Sequence, residues 1–325
     1  MNSFADIEQL LAPLPQHFRR AYSSLFPHSI PIVNEMALHL LNHPGKQLRP
    51  LLTLTTACLC GMPTNVQPDN PLFRAAAAME ALHASTLIHD DVVDNADSRR
   101  GIATANKLWN NKIAVLLGDW FLSQVMHTVN AIGIDSVTEA VNSTVTAMCE
   151  GELLQQQKAG DTTTTIDDYL LIITKKTALF IATCCQVGAI MANATNSIAD
   201  TARRFGENLG IAFQIRDDII DFKPSSSTGK NQGNDIREHK LTLPIIFALR
   251  SSNRKEELAT LLTADNLDNS QLDKAIDIVL DSGALHETTR YFDHYMSLAN
   301  DNLNALPDNK FKTCLLDLML ILKEF

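Results

Sequence analysis

Proline and glycine are nearly absent from the middle of this sequence. The chain has 325 residues and 12 prolines, yet residues 72–223 contain no proline and only eight glycines. These two residues disfavour the interior of a helix most strongly, so their scarcity permits long helices there. The apolar residues of this region recur at helical spacing and do not alternate as they would in strands.

Basic residues are also few, because 27 lysines and arginines stand against 37 acidic residues, for a net charge of −10. Sequence-independent binding of nucleic acid needs a surplus of Lys and Arg to displace counterions from phosphates. The composition therefore excludes a general nucleic-acid partner. Any anionic ligand must be met by a local cluster of cations.

The six cysteines have neither the number nor the C-x-x-C spacing that a disulfide scaffold or a zinc site needs. Apolar runs such as Leu51–Met62 fall short of the roughly 20 residues of a membrane span. The N-terminus lacks the basic and apolar regions of a signal peptide. We expect reduced thiols, a cytoplasmic location and no transmembrane segment.

The pattern predicts an all-α protein: one large bundle of antiparallel helices forming a single domain over residues 1–325. No linker or repeat divides the chain. Residues 40–250 carry the motifs, and residues 253–325 are predicted to be further helices packed on the bundle. The long helices are predicted at Phe73–Asp94, Ile113–Ala131, Ser136–Gln157, Ile166–Ala192 and Ser197–Phe222.

Two segments of the proline-free region contain the pattern D-D-x-x-D, at Asp90–Asp94 and at Asp217–Asp221. On a helix the first and last aspartates of each motif are four residues apart and share one face, where their like charges repel. A solvated acidic helix face explains one such motif, but two copies are harder to attribute to chance. Magnesium fits them, because it prefers one or two carboxylates completed by substrate phosphates.

Basic residues lie near both acidic motifs, as a diphosphate ligand would require. Each of them alone has a simpler explanation as a surface charge. Lys46 and Arg49 are three residues apart and would share a face if their segment is helical. The others are Arg99, Arg100, Lys175, Lys176, Lys230 and Lys240.

Together these motifs resemble the trans-prenyl diphosphate synthases, or polyprenyl synthetases, in particular the long-chain octaprenyl diphosphate synthase type. The resemblance runs in order from Gly45 to Pro244. It is carried by GKQLRP, HASTLIHDDVVDNADSRRG, GD, GELLQ, KTA, FQIRDDIID and GKNQGNDIREHKLTLP. It implies an isoprenoid-synthase fold, a helical bundle around a central cavity that the two aspartate motifs face, and a homodimer.

The implied activity is a Mg²⁺-dependent condensation of isopentenyl diphosphate with an allylic diphosphate, with three Mg²⁺ ions per site. By the resemblance, Asp90 and Asp94, supported by Asp91, bind two ions, and Asp217 binds the third. Lys176, Arg99, Thr177, Gln214, Lys230 and Lys240 would contact the allylic diphosphate, and Lys46, Arg49, His83 and Arg100 the isopentenyl diphosphate. The released diphosphate is the expected base, and the product would partition into membranes.

Product length in this family depends on residues that line or block a tunnel below the first motif. Ser85, Ala81 and Ala77 form a small-residue wall at helical spacing, which predicts an open tunnel, although small residues also permit close helix packing. Met126 is a candidate for the tunnel floor, with Val129, Trp120 and Phe121 as alternatives. We therefore expect a hexaprenyl to decaprenyl product, with octaprenyl favoured.

Other functions remain open at this point. A short-chain synthase would make farnesyl or geranylgeranyl diphosphate, and a non-catalytic subunit of a heteromeric synthase would commonly lack one aspartate motif. A helical scaffold would explain the proline gap but not the paired acids and cations. Two departures from the family pattern are Gln47, where a basic residue is common, and His239, where glycine is usual before the lysine.

Overall fold

The computed structural model describes residues 4–26, 29–99, 101–223, 232–264 and 267–323, and these residues are almost entirely helical. A π-helical segment, Thr174–Ala178, lies between the helices Ile166–Ile173 (α9) and Leu179–Met191 (α10). In chain order the helices are α1 (Phe4–Leu10), α2 (Leu14–Ser24), α3 (Pro31–Asn42), α4 (Leu48–Leu59), α5 (Pro71–Val93), α6 (Ala105–Leu108), α7 (Asn111–Ile132), α8 (Asp135–Gln157), α9 (Ile166–Ile173), α10 (Leu179–Met191), α11 (Asn196–Asp221), α12 (Asn234–Arg237), α13 (Leu243–Ser251), α14 (Lys255–Leu262), α15 (Asn269–Asp281), α16 (Ala284–Asn304) and α17 (Lys310–Lys323).

The strands in the described residues are two short antiparallel ones, β1 (Ser98–Arg99) and β2 (Ile102–Ala103). They pair Ser98 with Ala103 and Arg99 with Ile102, directly after the first aspartate motif. The prediction of an all-α fold is confirmed. The five long helices lie where the sequence places them, with ends that differ by at most two residues.

Local sequence explains where the long helices begin and end. Asn70 precedes α5, and its side-chain oxygen accepts a hydrogen bond from the Leu72 backbone N–H at 2.9 Å, while Pro71 occupies the first turn. Asn110 caps α7 through the Ile113 N–H at 3.0 Å. Gly133, at φ +73°, ends α7 in the left-handed conformation that glycine tolerates.

The chain divides into two compact units. Unit 1 contains residues 1–142, 184–202 and 306–318, and unit 2 contains residues 143–183, 203–305 and 319–325. Each unit is assembled from segments that are far apart in the sequence. Neither unit therefore corresponds to the ranges 40–250 and 253–325, and the assignment of one domain stays a prediction.

Within unit 1, α5 is buried along most of its length and packs closely against α7. A Cβ added to Gly118 of α7 would lie 2.3 Å from Nε2 of His89 on α5, so a larger residue here would require the His89 ring to move. The Ser85 hydroxyl donates a hydrogen bond to the Gly118 carbonyl at 2.9 Å. The crossing of the two helices thus fixes the end of α5 that carries the first aspartate motif.

Within unit 2, glycines permit two close contacts around the π-helical segment. A Cβ on Gly151 of α8 would lie 2.6 Å from the backbone nitrogen of Lys176, and one on Gly210 of α11 would lie 2.6 Å from Cα of Ala178. Since these neighbours are backbone atoms, larger residues would push the helices apart. Helices α8 and α11 therefore hold the segment that carries Lys176 and Thr177.

One apolar helical stretch of the described residues, Ile166–Met191, is long and apolar enough to cross a membrane by length and composition. The sequence predicted this helix at Ile166–Ala192 but did not mark it as one of the long apolar stretches. About 56% of its most apolar window is buried inside the protein. A buried core helix meets the same criteria, so the finding is weak evidence for a span.

Candidate active site

The first aspartate motif lies in the last turn of α5. Asp94 is the residue that ends the helix, and its N–H donates to the Asp90 carbonyl at 2.8 Å. Asn95 follows at φ +49°, and the N–H of Ala96 donates a hydrogen bond to the carbonyl of Asp91 at 2.9 Å. The left-handed conformation of Asn95 thus ends the helix with hydrogen bonds to two of its last backbone carbonyls. It also leaves the carboxylates at the negative end of the helix dipole, where a cation is favoured.

Asp91 is held differently from the half-buried Asp90 and Asp94. It is 6% exposed and accepts a hydrogen bond from Nε of Arg99, in β1, at 2.8 Å. Burial raises the pKa of Asp91, the Arg99 guanidinium opposes this rise, and the charge of Asp94 adds to it. Arg99, predicted to contact the allylic diphosphate, is thus ion-paired with the motif in this structure.

The cations predicted for isopentenyl diphosphate lie near the start of α4. Lys46 is in the turn before the helix, and Arg49 is in its first turn, so the two do not share a helix face as a fully helical segment would require. Gly45 at φ +61° and Gln47 at φ +48° produce this turn. Two cations beside a helix N-terminus form a suitable environment for an anion.

Of the two remaining residues predicted for that substrate, the structure describes one, His83. His83 is half-buried in α5, two turns before the aspartate motif. Arg100 lies outside the described residues, as does Lys230, predicted for the allylic diphosphate.

The second aspartate motif lies in the last turns of α11, in unit 2, and its three carboxylates have different partners. Asp217 is partly exposed and lies 3.5 Å from Arg216. Asp218 is 3% exposed and accepts hydrogen bonds from the Tyr169 hydroxyl at 2.6 Å and from Nε2 of Gln214 at 2.9 Å. Burial raises the pKa of Asp218 to about 7, although both hydrogen bonds lower it.

Asp221 anchors the chain that follows α11. Its carboxylate accepts hydrogen bonds from the backbone N–H groups of Asn234 and Asp235, each at 3.1 Å, at the start of α12. Its own carbonyl accepts from the Gly233 N–H at 2.9 Å. The pKa of Asp235 is raised because burial and the charges of Asp218 and Asp221 oppose its ionisation. Asp217 is thus the member of this motif that faces solvent most.

The π-helical segment presents Lys176 and Thr177 near α8 and α11. Lys176 forms an ion pair with Glu152, and the Thr177 hydroxyl donates to Oε1 of Gln214 at 3.0 Å. Burial alone would raise the pKa of Glu152, but Lys176, Gln156 and Lys240 together lower it. The structure therefore brings Lys176, Lys240 and Gln214, all predicted for the allylic diphosphate, into one part of unit 2.

His239, directly before Lys240, has a backbone conformation that glycine favours. It adopts φ +55°, the left-handed region in which glycine is favoured. Its Nδ1 lies 3.0 Å from the Leu262 carbonyl, and its own carbonyl accepts from the Gly160 N–H at 2.9 Å. The N–H of Lys240 donates to the Asp235 carbonyl at 2.8 Å, and its side chain pairs with Glu238.

The residues predicted to control product length are in the interior of unit 1. Ala77 and Ala81 are fully buried in α5, and Ser85 is 2% exposed beside Gly118. Met126 is half-buried on α7. Ser85 therefore takes part in the close packing of α5 on α7, and the open tunnel wall formed by the three small residues stays a prediction.

Sequence reasoning did not assign roles to Tyr169, Glu152 or Asp235. Tyr169 precedes Asp218 by 49 residues, and nothing local marks the pair. Glu152 lies within the GELLQ motif, which did mark the segment but not this side chain. The π-helical segment was also missed, because the periodicity of a helix does not reveal one inserted residue.

Carboxylates at the ends of two long helices, with lysines, arginines and amides nearby, define a class of helical proteins that bind phosphorylated substrates with divalent cations. The family model of the polyprenyl synthetases matches residues 30–279. The chain therefore belongs to the polyprenyl synthetase family and is an enzyme that transfers prenyl groups.

Similar proteins share nearly the full length of the chain. It is 33% identical over 315 residues to an all-trans-nonaprenyl-diphosphate synthase from Rhodobacter capsulatus, covering 96% of this chain and 95% of that protein. It is 31% identical to heptaprenyl diphosphate synthase component 2 from Geobacillus stearothermophilus, covering 95% and 94%. A crystal structure of polyprenyl synthase from Caulobacter crescentus, complexed with calcium and isoprenyl diphosphate, is similar with a TM-score of 0.91 at 30% identity, covering 99% and 97%.

Proposed function

We propose that this chain condenses isopentenyl diphosphate with an allylic diphosphate, in a Mg²⁺-dependent reaction that yields a long-chain all-trans polyprenyl diphosphate. The observation that carries the proposal is the pair of aspartate motifs, each in the final turns of a long helix and each accompanied by cations. The similar proteins named as heptaprenyl and nonaprenyl synthases bracket an octaprenyl product. They favour this product over the short-chain alternative.

The donors of the first motif suit magnesium. The described residues contain no group of three His, Cys, Asp or Glu side chains that is already arranged around an ion. Magnesium needs no such group, because it keeps water and completes its shell with substrate phosphates. We propose that Asp90, Asp91 and Asp94 hold two ions and Asp217 a third. Bound Mg²⁺ would neutralise the charge that develops on the leaving diphosphate.

The basic and amide side chains would bind and orient the two diphosphates. Lys176, Lys240, Thr177 and Gln214 would hold the allylic diphosphate so that its C–O bond breaks with both electrons retained by the diphosphate. Lys46, Arg49 and His83 would hold the isopentenyl diphosphate so that its double bond attacks the allylic carbon. The proton lost from the new chain passes to the released diphosphate, so no side chain is needed as the base.

A homodimer is proposed, since unit 1 exposes apolar side chains near the end of α5 that carries the motif. Val93, Leu108 and Leu116 are each about half exposed, at 50%, 47% and 55%. Scattered apolar residues are common on surfaces, but these lie in segments that are consecutive in the chain. We place the enzyme in the cytoplasm, with a product that partitions into membranes.

The test is to incubate the purified chain with labelled isopentenyl diphosphate and each allylic primer in turn, with Mg²⁺ or with EDTA. Products would be dephosphorylated and sized by chromatography. We expect chains of six to ten isoprene units with Mg²⁺ and no product with EDTA. A C15 or C20 product would favour a short-chain synthase. Activity only after addition of a second protein would favour a subunit of a heteromeric synthase. The name of the Geobacillus relative, "component 2", is the reason to include this outcome.

A further inference from the structure

A continuous chain of side-chain hydrogen bonds crosses the candidate allylic site in unit 2. The Tyr169 hydroxyl donates to Oδ2 of Asp218 at 2.6 Å, and Nε2 of Gln214 donates to Oδ1 of the same carboxylate at 2.9 Å. Oε1 of Gln214 in turn accepts from the Thr177 hydroxyl at 3.0 Å. Each donor has one acceptor, so the orientation of the Gln214 amide is set by its partners at both ends.

Tyr169 is the rigid end of this chain. It is 3% exposed in the first turn of α9, and its N–H donates to the carbonyl of Thr165 at 3.1 Å. Thr165 and Asp168 form a capping box that fixes the start of α9. A buried aromatic ring on a capped helix has little freedom, so its hydroxyl approaches Asp218 from a fixed direction.

Without the phenol hydroxyl, the Asp218 carboxylate would lose one of the two side-chain hydrogen bonds that it accepts. Its carboxylate is excluded from water, and removing one of its two side-chain donors would leave an oxygen without a strong partner. The carboxylate would then rotate, and Gln214, which lies one helical turn before it, would follow. Thr177 would lose the acceptor that orients its hydroxyl.

We propose that Tyr169 is a positioning residue of the allylic diphosphate site, acting through Asp218 and Gln214 on Thr177. The proposal rests on the function proposed above, because it assigns Gln214 and Thr177 to the allylic diphosphate. Tyr169 itself does not touch substrate. Its hydroxyl fixes the direction in which the amide and the neighbouring hydroxyl are presented.

The test uses the full chain and the variant Tyr169→Phe, which keeps the ring and removes only the hydroxyl. Tyr291→Phe is the matched control, since Tyr291 is a half-buried tyrosine of the same unit whose ring packs at a tilt against Phe247, with centroids 5.6 Å apart. Binding of a non-reactive allylic thiodiphosphate with Mg²⁺ is measured by calorimetry. Thermal midpoints of all variants are measured first. Steady-state kinetics are then measured about 10 °C or more below the lowest midpoint, so that every variant is folded.

We expect Tyr169→Phe to weaken binding of the thiodiphosphate, and to raise the KM for the allylic substrate, about tenfold, as loss of a hydrogen bond to a charged group predicts. The KM for isopentenyl diphosphate should change less than about twofold, and Tyr291→Phe should change neither. Asp218→Asn should weaken allylic binding as well, and adding Tyr169→Phe to it should weaken binding little further.

Unchanged binding of the thiodiphosphate by Tyr169→Phe would overturn the proposal. An equal rise in both KM values with a lowered thermal midpoint would also overturn it, because that result indicates general loss of packing. Fully additive effects of Tyr169→Phe and Asp218→Asn would show that the tyrosine does not act through the aspartate. If the folded wild-type chain neither binds the thiodiphosphate nor makes product, the proposed function itself fails.

Discussion

The hydroxyl of Ser85 donates a hydrogen bond to the backbone carbonyl of Gly118 at 2.9 Å, where α5 crosses α7. A residue expected to line a product tunnel is therefore also part of a close contact between two helices of unit 1. Any larger side chain at this position must change both the volume beside α5 and the distance between the two helices.

Ser85→Phe should shorten the product and destabilise the protein. The ring must occupy space now filled by α7, which typically costs about 1–3 kcal/mol of the free energy of unfolding. Ser85→Ala is the matched control, since it removes only the hydrogen bond, costs about 1 kcal/mol and should leave the product distribution unchanged. Chromatography of dephosphorylated products checks the first expectation and denaturant unfolding the second. An unchanged distribution in a folded Ser85→Phe variant would remove Ser85 from the tunnel.

Gly151→Ala should weaken allylic diphosphate binding from a position that need not touch substrate. The added Cβ would lie 2.6 Å from the Lys176 backbone nitrogen, so α8 or the π-helical segment must move. We expect a loss of about 1–3 kcal/mol in stability and a higher KM for the allylic substrate. Cys149→Ala, on an exposed position of the same helix, is the control. Equal KM values for the two variants would contradict the role of this close contact.

Asp90→Asn should abolish turnover at saturating Mg²⁺, because a neutral amide is a far weaker magnesium ligand than a carboxylate. The expected fall in kcat is at least about a hundredfold. Asp97→Asn, which removes an exposed carboxylate paired with Lys107 at 3.0 Å, should leave kcat nearly unchanged. Turnover by Asp90→Asn within a few-fold of wild type would remove this aspartate from the metal site.

The stability of the metal-free protein should depend on the ionisation of Asp218. Its pKa is raised to about 7 in the folded chain, so the folded state binds a proton more tightly than the unfolded state. The stabilisation is present below the unfolded pKa of about 4 and is lost as pH rises through about 7. Thermal midpoints in EDTA should therefore fall less between pH 5 and pH 8 in Asp218→Asn than in wild type.

The exposed Asp273→Asn provides the control for that comparison and should follow the wild-type curve. The difference is expected to be a few kcal/mol at most, since one pKa unit corresponds to about 1.4 kcal/mol. Parallel curves for wild type and Asp218→Asn would show that Asp218 titrates alike in both states.

His239→Gly should be tolerated, and His239→Val should not. Glycine adopts φ +55° without steric cost but loses the contact between Nδ1 and the Leu262 carbonyl, so the two effects nearly cancel. Valine is β-branched and disfavours the left-handed region, which should cost about 1–3 kcal/mol. Unfolding midpoints and the KM for the allylic substrate test both variants. Equal stability of His239→Val and wild type would show that the backbone here can relax.

The sequence predicted much of the helical structure because helix formation depends on local properties. The proline gap and the apolar spacing located five long helices with errors of at most two residues at their ends. The same local spacing would put Lys46 and Arg49 on one face if their segment were helical, but the helix begins at Leu48, after Gln47 at φ +48°. It also missed the π-helical segment Thr174–Ala178 inside the predicted helix Ile166–Ala192.

The motifs likewise predicted which residues carry charge at the site, because spacing along a helix sets which carboxylates share a face. The sequence could not assign different partners to Asp217, Asp218 and Asp221. Those partners come from residues as distant as Tyr169, 49 positions away, and from the backbone of Asn234. Contacts between distant segments depend on how helices pack, and spacing alone does not report this.

By itself, then, the sequence determined the helical class, the family resemblance and the positions of the acidic and basic motifs, since all of these follow from composition and short-range spacing. Only the tertiary structure decided that Ser85 meets Gly118, that Lys176 pairs with Glu152 and that Tyr169 holds Asp218. The physical reason is that burial and hydrogen bonding between distant segments arise only when the helices pack.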